Sequence, residues 1–393
     1  MKILSLLLLS ILGVHAGSVP LASYLESVES SSAVGALNAQ SEAQAALQRS
    51  QVQSEGVLLN GEVGYASEKN GDRSKAEYHV AVEKRFVFGD SDAYADALRI
   101  SSQKQQELQL YQLKTVVYEH YINACTLKEK AGLLKDAQER NIELTKLIDE
   151  GVKGGEFDRS ALLRSELIVD ELQLRISDLE NRYYEALQSL QLYTRKEDSE
   201  EPFCQDLPSE ITITENPEQY STLYRYLESE ITATSTLQNF RSTAVQDIKL
   251  GVGYDNEIDL SRGIVFVQIP LTQGSRRDSE REAATQAKLA AQQQLLFAKA
   301  QIEAQIRTYT AAQQTRKNTF DRLNDVLIPK AYESSVLLLE RFMGSEGSYL
   351  SYIDSQKALF DLLIRGIDTR ANALLAQAKL YRILGVDPQK DIK

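Results

Sequence analysis

The spacing of apolar and polar residues changes from a period of two to a helical period at two points in the chain. The first is Val82–Arg99, "VEKRFVFGDSDAYADALR", and the second is Val267–Ala284, "VQIPLTQGSRRDSEREAA". Each begins as an apolar run and ends as a polar segment of good helix formers, with Gly89 and Gly274 at corresponding points. A period of two is typical of strands and a period near 3.6 of helices. The chain therefore predicts two strands that each run directly into a helix.

The first of these helices is predicted to be very long. Between Ser91 and Glu150 there is no proline and almost no glycine, and apolar residues recur every seven positions at Leu110, Val117, Ala124 and Ala131. This is the pattern of a coiled coil. The helix should break in "DEGVKGGEFD", which contains Gly154 and Gly155, and return from Arg159 to Tyr193. His120 interrupts the apolar line, and we interpret it as a packed or pore-facing residue.

A second copy of the same plan follows. Its long helix leads to Gly344 and Gly347 and returns from Tyr349 to Leu384, while Pro329 should interrupt the outgoing helix and kink it. Gly89 to Gly155 spans 66 positions and Gly274 to Gly347 spans 73, a difference of seven, or one heptad. The two copies can therefore stay in phase.

A pair of strands is predicted before each hairpin, near 57–67 and 76–88 and near 247–256 and 263–271. In "AEYHVAVEKRF", Tyr78, Val80 and Val82 alternate with Glu77, His79, Glu83 and Arg85. This alternation suits a strand between lipid and an aqueous lumen. The last strand is apolar on both faces and fits the pattern less well.

The amino terminus predicts export. Lys2 precedes an apolar run, and "VHA" supplies small residues before a cut after Ala16, as in a secretory signal peptide. The predicted organisation is therefore a signal peptide at 1–16, a first repeat at 17–200 with its helical hairpin at 91–194, and a second repeat at 201–393 with its hairpin at 275–385.

Composition narrows the possible functions. A net charge of −12 and a pI near 5.0 argue against binding to nucleic acid, because no basic surface is available for phosphates. Cys125 and Cys204 lie far apart, so no disulfide framework is indicated and Cys125 is interpreted as a small packing residue. With so few histidines and no catalytic motif, we expect no enzyme activity, no metal site and no cofactor.

Four strands cannot close a barrel around a water-filled pore, since even about eight strands give an interior filled by side chains. Strands in lipid must form a closed barrel, because an open sheet edge would leave backbone groups without hydrogen-bond partners. The helical hairpins must also pack against neighbouring helices to cover their apolar faces. Both requirements predict a closed ring of subunits.

The chain resembles the TolC-type outer-membrane efflux factors over nearly all of its mature length. The resemblance lies in the duplication, in "IPLTQGSRRDSEREAA" with Pro270 and Gly274, and in "RFMGSEGSYLSYIDSQKALF". In the second segment the residues that agree with the family pattern are Arg341, Ser348, Tyr349, Leu350, Asp354 and Gln356. Phe342 stands where tyrosine is usual, the glycine is displaced to Gly344, and Ser351 replaces a frequent acidic residue.

This resemblance implies a mainly α fold with a small β part. Three chains would form a twelve-stranded barrel in outer-membrane lipid, continued by a periplasmic α-barrel. Such a homotrimer docks with a periplasmic adaptor and an inner-membrane pump, and serves as an exit duct for efflux or type I secretion. The alternatives are a soluble periplasmic coiled-coil or adaptor protein and an exported enzyme.

Three groups of site residues follow from the resemblance. Asp354 is expected at the constricted aperture, where three copies would form a carboxylate ring; the alternative is an aspartate stabilised by the helix dipole. Ser351 lies beside it, and Asp158 occupies the equivalent place in the first copy, where a helix-start role is favoured. Contact with the adaptor is expected at the glycines of the hairpin tips. A glycine or proline marks each strand-to-helix junction. These tip and junction residues are Gly154, Gly155, Gly344, Gly347, Gly89, Pro270 and Gly274.

Overall fold

The computed structural model describes residues 18–50, 56–67, 74–194, 201–206, 221–243, 247–257, 260–269, 274–344 and 347–388. The predicted signal peptide, Pro270 and most of the acidic linker that joins the two repeats lie outside the described residues.

The described part of the chain is mainly helical with a small β part, as the sequence predicted. The first repeat contains β1 (Ser18–Val19), α1 (Leu21–Glu29), α2 (Ser32–Ser50), β2 (Val57–Ser67), β3 (Ser74–Val87), α3 (Ser91–Gly154) and α4 (Arg159–Tyr193). The second contains β4 (Glu201–Pro202), α5 (Thr222–Ser242), β5 (Asp247–Asn256), β6 (Ser261–Gln268), α6 (Gly274–Arg322), α7 (Ile328–Met343) and α8 (Tyr349–Leu384). The 64 residues of α3 span about 96 Å.

The chain forms two compact units, and each takes segments from both repeats. The sheet unit comprises 36–108 and 221–301, and the hairpin unit comprises 1–35, 109–220 and 302–393. Because α3 and α6 are so long, each contributes to both units.

The sheet unit is built around an antiparallel sheet in the order β2-β3-β5-β6. Leu59 lies opposite Val82, Val82 opposite Val252, and Val252 opposite Val265, so these residues form one row across all four strands. Beneath the sheet, Tyr94 of α3 packs against Phe240 of α5 in a small buried cluster. Within the described residues, β2 and β6 each have one edge without a partner strand.

The hairpin unit has its largest core where α1 packs against the middle of α3. Tyr24 meets Tyr121 edge-to-face at 5.5 Å between ring centroids. The heptad residues Val117 and Ala124 are buried in the same cluster. The heptad pattern of α3 therefore describes its packing face, and α1 covers part of that face.

A disulfide joins Cys125 of α3 to Cys204, which corrects the expectation that these cysteines are unpaired and that Cys125 is only a packing residue. The linker returns to α3 after α4 because β4 pairs in parallel with β1, and Phe203 N donates to Val19 O at 2.9 Å. A sequence separation of 79 residues conceals this proximity, since it arises only after a complete hairpin has formed.

A buried lysine on α3 forms ion pairs with residues from the first and the last segments of the hairpin unit. The Lys114 side chain is only 1% exposed, and its Nζ lies 2.7 Å from Glu29 Oε1 and 3.6 Å from Asp387 Oδ2. A buried ammonium needs such partners, because leaving it unpaired costs several kcal/mol. Lys114 therefore links the end of α1 to the segment that follows α8.

The outgoing helix of the second hairpin is interrupted by a π-helical turn at Leu323–Leu327, directly before Pro329. Ile328 N donates to Leu323 O across this turn, five residues back instead of four. Proline has no N–H to give to residue 325 and clashes with its carbonyl in a regular α-helix. The predicted interruption at Pro329 therefore takes the form of a wider turn between α6 and α7.

Candidate functional sites in the sheet, the junctions and the hairpin tips

One face of the four-stranded sheet is apolar and exposed. In the row that crosses all four strands, Leu59 is 72% exposed and Val265 is 80% exposed. The neighbouring rows add further exposed apolar side chains, namely Val57, Val63, Tyr78, Val80, Leu250, Tyr254 and Val267. Soluble monomers rarely expose a continuous apolar surface of this kind.

The opposite face of the same sheet is polar. His79 Nδ1 contacts Asp255 Oδ1, and Arg262 Nε donates to Asp255 Oδ2 at 3.2 Å. Asn60 Nδ2 donates to Glu83 Oε1 at 2.5 Å on the same face. The alternation predicted for β3 therefore extends over the sheet, and His79 lies on the face predicted to line the lumen.

The apolar residues on both faces of β6 have a local explanation. Phe266 belongs to the polar face, where its ring lies over Gly251 of the neighbouring strand. A Cβ atom at position 251 would lie only 2.2 Å from the ring. Gly251 thus provides the space for the end of an aromatic ring on a largely polar surface.

The two strand-to-helix junctions differ. Gly89, between β3 and α3, has φ +90°, and a Cβ there would lie 2.8 Å from Thr243 Oγ1. Gly274 begins α6 without a positive φ, and no other side chain of the described residues lies within 4 Å of a Cβ placed there. The junction therefore requires glycine at 89 and does not require it at 274, while Pro270 lies outside the described residues.

The tip of the first hairpin ends α3 with a Schellman motif. Gly155 has φ +78°, its N–H donates to Val152 O at 3.1 Å, and Glu156 N donates to Gly151 O at 2.8 Å. These two bonds use carbonyls that the helix end leaves free. Gly155 thus sets the turn, and Gly154 is the last residue of α3.

Asp158 is the N-cap residue of α4, with an extended backbone and an exposed side chain. The Ser160 hydroxyl donates to its carboxylate at 2.6 Å, and this bond holds the pKa of Asp158 below its usual range. Asp158 thus stands directly before α4, where its side chain makes no capping hydrogen bond, and its helix-start role stays a prediction.

The tip of the second hairpin is formed by Gly344, Gly347 and Ser348. Gly344 caps α7, and its N–H donates to Glu340 O at 2.9 Å. A Cβ on Gly347 would lie 3.0 Å from Arg341 Cβ, so the chain passes close to the end of α7. The Ser348 hydroxyl accepts from Leu350 N and caps the start of α8.

Asp354 lies in the second turn of α8, and its side chain is exposed. The first turn contains no acidic residue, and Ser348 already provides the cap. Because the helix dipole acts mainly within the first turn, the dipole alternative explains Asp354 poorly. Ser351 is exposed nearby, one turn earlier on the same helix.

An aromatic cluster joins the two tips within the chain. Phe157, just after the first turn, stacks on Phe342 at 4.8 Å between centroids and 20° between planes. Phe342 in turn contacts Tyr349 at 5.3 Å. Tyr352 is buried in the same cluster, and this burial raises its pKa to about 12 although the Gln356 side chain donates to its hydroxyl. In the sequence, Phe342 stands out only as a departure from the family pattern, and nothing near it indicates this contact.

His120, which interrupts the apolar line of α3, is a further ionisable residue of interest. Its ring stacks on Tyr193 at 6.0 Å between centroids. Partial burial lowers the pKa of His120 below its usual value, against the opposing influence of Glu119. The imidazole is therefore neutral at neutral pH and serves as a packed aromatic ring.

Among the described residues, no group of three or more His, Cys, Asp or Glu side chains is arranged to hold a metal ion. None of the helices in this part of the chain combines the length and apolar character needed to cross a membrane.

No protein-family model matches the sequence, and no curated protein matches it. Solved structures do match. A membrane protein from Pseudomonas aeruginosa superposes with a TM-score of 0.74 at 16% identity, covering 93% of this chain and 93% of that one. The CmeC outer membrane channel of Campylobacter jejuni gives 0.74 at 12% identity, with 93% and 84% covered. The open state of the MtrE outer membrane channel of Neisseria gonorrhoeae gives 0.73 at 14% identity, with 95% and 90% covered.

The chain thus has the fold of outer-membrane channels along nearly its whole length. The resemblance to TolC-type factors is confirmed at the level of the fold. Two of these neighbours, CmeC and MtrE, are described as outer membrane channels.

Proposed function

We propose that the chain is an outer-membrane exit duct that passes substrates across the periplasm and outer membrane for efflux or type I secretion. One observation carries this proposal: a four-stranded antiparallel sheet is apolar and exposed on one face and polar on the other. Such a surface suits a strand between lipid and an aqueous lumen. The match to outer-membrane channels over both repeats supports the same conclusion.

The functional form would be a homotrimer. The described strands leave β2 and β6 with open edges, and an open edge cannot remain in lipid. Pairing β6 of one copy with β2 of the next would close a barrel of twelve strands from three chains. Twelve strands are enough for an aqueous lumen, whereas four are not.

The helices also offer surfaces for neighbouring copies. On α4, Leu167 and Leu174 are one heptad apart and are 67% and 74% exposed. Leu163 continues this stripe toward the tip. Exposed leucines at coiled-coil spacing favour helix partners, and a ring of copies would supply them as a periplasmic α-barrel.

Within this assembly the hairpin tips would contact a periplasmic adaptor that recruits an inner-membrane pump, through the turns at Gly154, Gly155, Gly344 and Gly347. Asp354 and Ser351 would line the aperture, and Asp158 would lie at the rim. The competing function, a soluble periplasmic coiled-coil or adaptor protein, gives no role to the exposed apolar face of the sheet.

Two substitutions on neighbouring residues of β6 distinguish these functions. Val265→Lys places a charge on the apolar face, and Ile264→Lys places the same charge on the polar face. A lysine facing lipid near the bilayer midplane costs about 2–4 kcal/mol. We therefore expect Val265→Lys to abolish the SDS-resistant trimer in the outer-membrane fraction, and Ile264→Lys to retain it.

Native mass measurement in detergent provides the second readout. The parent chain should appear as a trimer in the membrane fraction. A soluble monomer whose stability is unchanged by Val265→Lys would refute the duct and favour the periplasmic coiled-coil protein.

A further inference from the structure

The segment Glu201–Asp206, here called the strap, crosses α3 and holds the first residues of the described chain. Its start, β4, pairs with β1, and the Tyr121 hydroxyl donates to Phe203 O at 2.7 Å. Lys128 Nζ lies 2.5 Å from Glu201 Oε2. The Cys125–Cys204 disulfide is the single covalent bond among these contacts.

The noncovalent contacts of the strap combine polar bonds with the burial of Pro202 and the packing of Cys204 against the core. The paired strands have two residues each, and the Lys128–Glu201 ion pair is substantially exposed on both sides. Exposed ion pairs contribute about 0–1 kcal/mol. The disulfide, which typically contributes about 2–4 kcal/mol, is the strongest single attachment of the strap among these contacts.

We infer that the chain is a substrate of an envelope thiol oxidoreductase carrying a reactive disulfide, and that the reaction begins at Cys204 and locks the strap onto α3. This rests on the proposed export to the periplasm, an oxidising compartment where disulfides form and persist. The order of reaction follows from burial, because Cys125 is 1% exposed in the core whereas Cys204 is only partly buried.

The chemistry consists of two thiol–disulfide exchanges. The Cys204 thiolate attacks one sulfur of the oxidoreductase disulfide, forming a mixed disulfide and expelling the second oxidoreductase sulfur as a thiolate. The Cys125 thiolate then attacks Cys204 Sγ, which forms the internal disulfide and releases the oxidoreductase as a dithiol. The two electrons reduce the oxidoreductase, and its two thiolates take up the two protons lost from Cys125 and Cys204.

The first test measures the thiols of the full chain in a Gram-negative host with and without its envelope dithiol oxidase. After acid quenching and maleimide labelling in denaturant, the chain from the normal host should carry no label. The chain from the deficient host should carry two. Free thiols in the chain from the normal host would overturn the inference, whatever the outcome of the trimer and membrane tests.

Single variants test the order of reaction. Cys125→Ser leaves Cys204 without its resolving partner, so a mixed disulfide with the oxidoreductase should accumulate on non-reducing gels. Cys204→Ser leaves only the buried Cys125, and we expect little or no such adduct. Equal trapping by the two variants, or more with Cys204→Ser, would refute the assigned order.

The locking role is tested by hydrogen exchange on the Cys125→Ser/Cys204→Ser double variant. Exchange should rise at Phe203 and neighbouring strap amides and stay unchanged at the hairpin tips. Tyr121→Phe is the matched control, because it removes one hydrogen bond to the strap and keeps the disulfide. Unchanged strap exchange in the double variant would show that the disulfide does not lock the strap.

Discussion

Gly89 allows a quantitative test of the strand-to-helix junction. At φ +90°, an alanine would occupy a backbone region that costs a non-glycine residue about 1–3 kcal/mol. Its Cβ would also lie 2.8 Å from Thr243 Oγ1. Moving the stiff Thr243 side chain off its rotamer costs about a further 1 kcal/mol. Gly89→Ala should therefore destabilise the chain by about 2–4 kcal/mol.

The expected change in Tm follows from the length of the chain. For the 377 residues left after the predicted cut following Ala16 (393 minus 16), an unfolding entropy of about 2.1 cal/mol/K per residue converts this loss into a decrease of about 2.5–5 °C. The measurement is the apparent Tm of the purified protein in detergent, at one scan rate and one protein concentration, since both affect an oligomer that unfolds irreversibly.

Gly274→Ala is the matched control, because that position has no positive φ and a Cβ there meets no other side chain of the described residues. It should leave Tm unchanged or raise it slightly, since alanine is the better helix former. Adding Thr243→Ala to Gly89→Ala should recover the steric part of the loss and leave the backbone part. Equal effects of alanine at positions 89 and 274 would refute the distinction between the junctions.

Three further predictions concern the long helices and the turn at the first hairpin tip. Asp354→Asn should weaken the preference of the channel for cations and the block of its conductance by multivalent cations in planar bilayers, without changing trimer stability. Unchanged ion selectivity would show that Asp354 does not line the aperture. Phe157→Ala should cost about 1–2 kcal/mol at the tip, seen as faster amide exchange at 151–157, while Phe157→Leu should lose less. Lys114→Ala should destabilise the chain by about 3–5 kcal/mol in thermal or denaturant unfolding, because it removes a buried ammonium whose partners include the largely buried Asp387. Glu29→Gln should cost under about 1 kcal/mol, since Glu29 is 58% exposed; comparable losses from the two changes would contradict the role of burial.

The parts of the fold that depend on local periodicity could be predicted from the sequence. The heptad residues of α3 predict its buried face, and the alternation in β3 separates the faces of the sheet, because both patterns are set by residues a few positions apart. Asp158 likewise has the helix-start position that its place after the glycine break indicated.

Features that depend on distant residues could not be predicted in this way. The Cys125–Cys204 bond requires the linker to return to α3 after a full hairpin, and nothing near either cysteine signals that return. Gly89 and Gly274 are equivalent in the sequence, yet only Gly89 faces Thr243. The stacking of Phe157 on Phe342 depends on the alignment of two hairpins, which periodicity within one hairpin does not determine.

The π-helical turn before Pro329 has a consequence for how the second hairpin tolerates changes in length. In a regular α-helix, one inserted residue rotates everything beyond it by about 100°, which would turn the sixteen residues of α7 away from α8. A π turn takes up one extra residue and returns the helix to its former phase. Because the turn already holds one extra residue, deleting one residue within Leu323–Leu327 should keep the phase of α7 once Pro329 is also replaced, since Pro329 clashes in a regular α-helix. In such a variant the tip, with Phe342 and the glycines beside it, should keep its alignment, whereas a single-residue deletion a few turns to either side should be rejected.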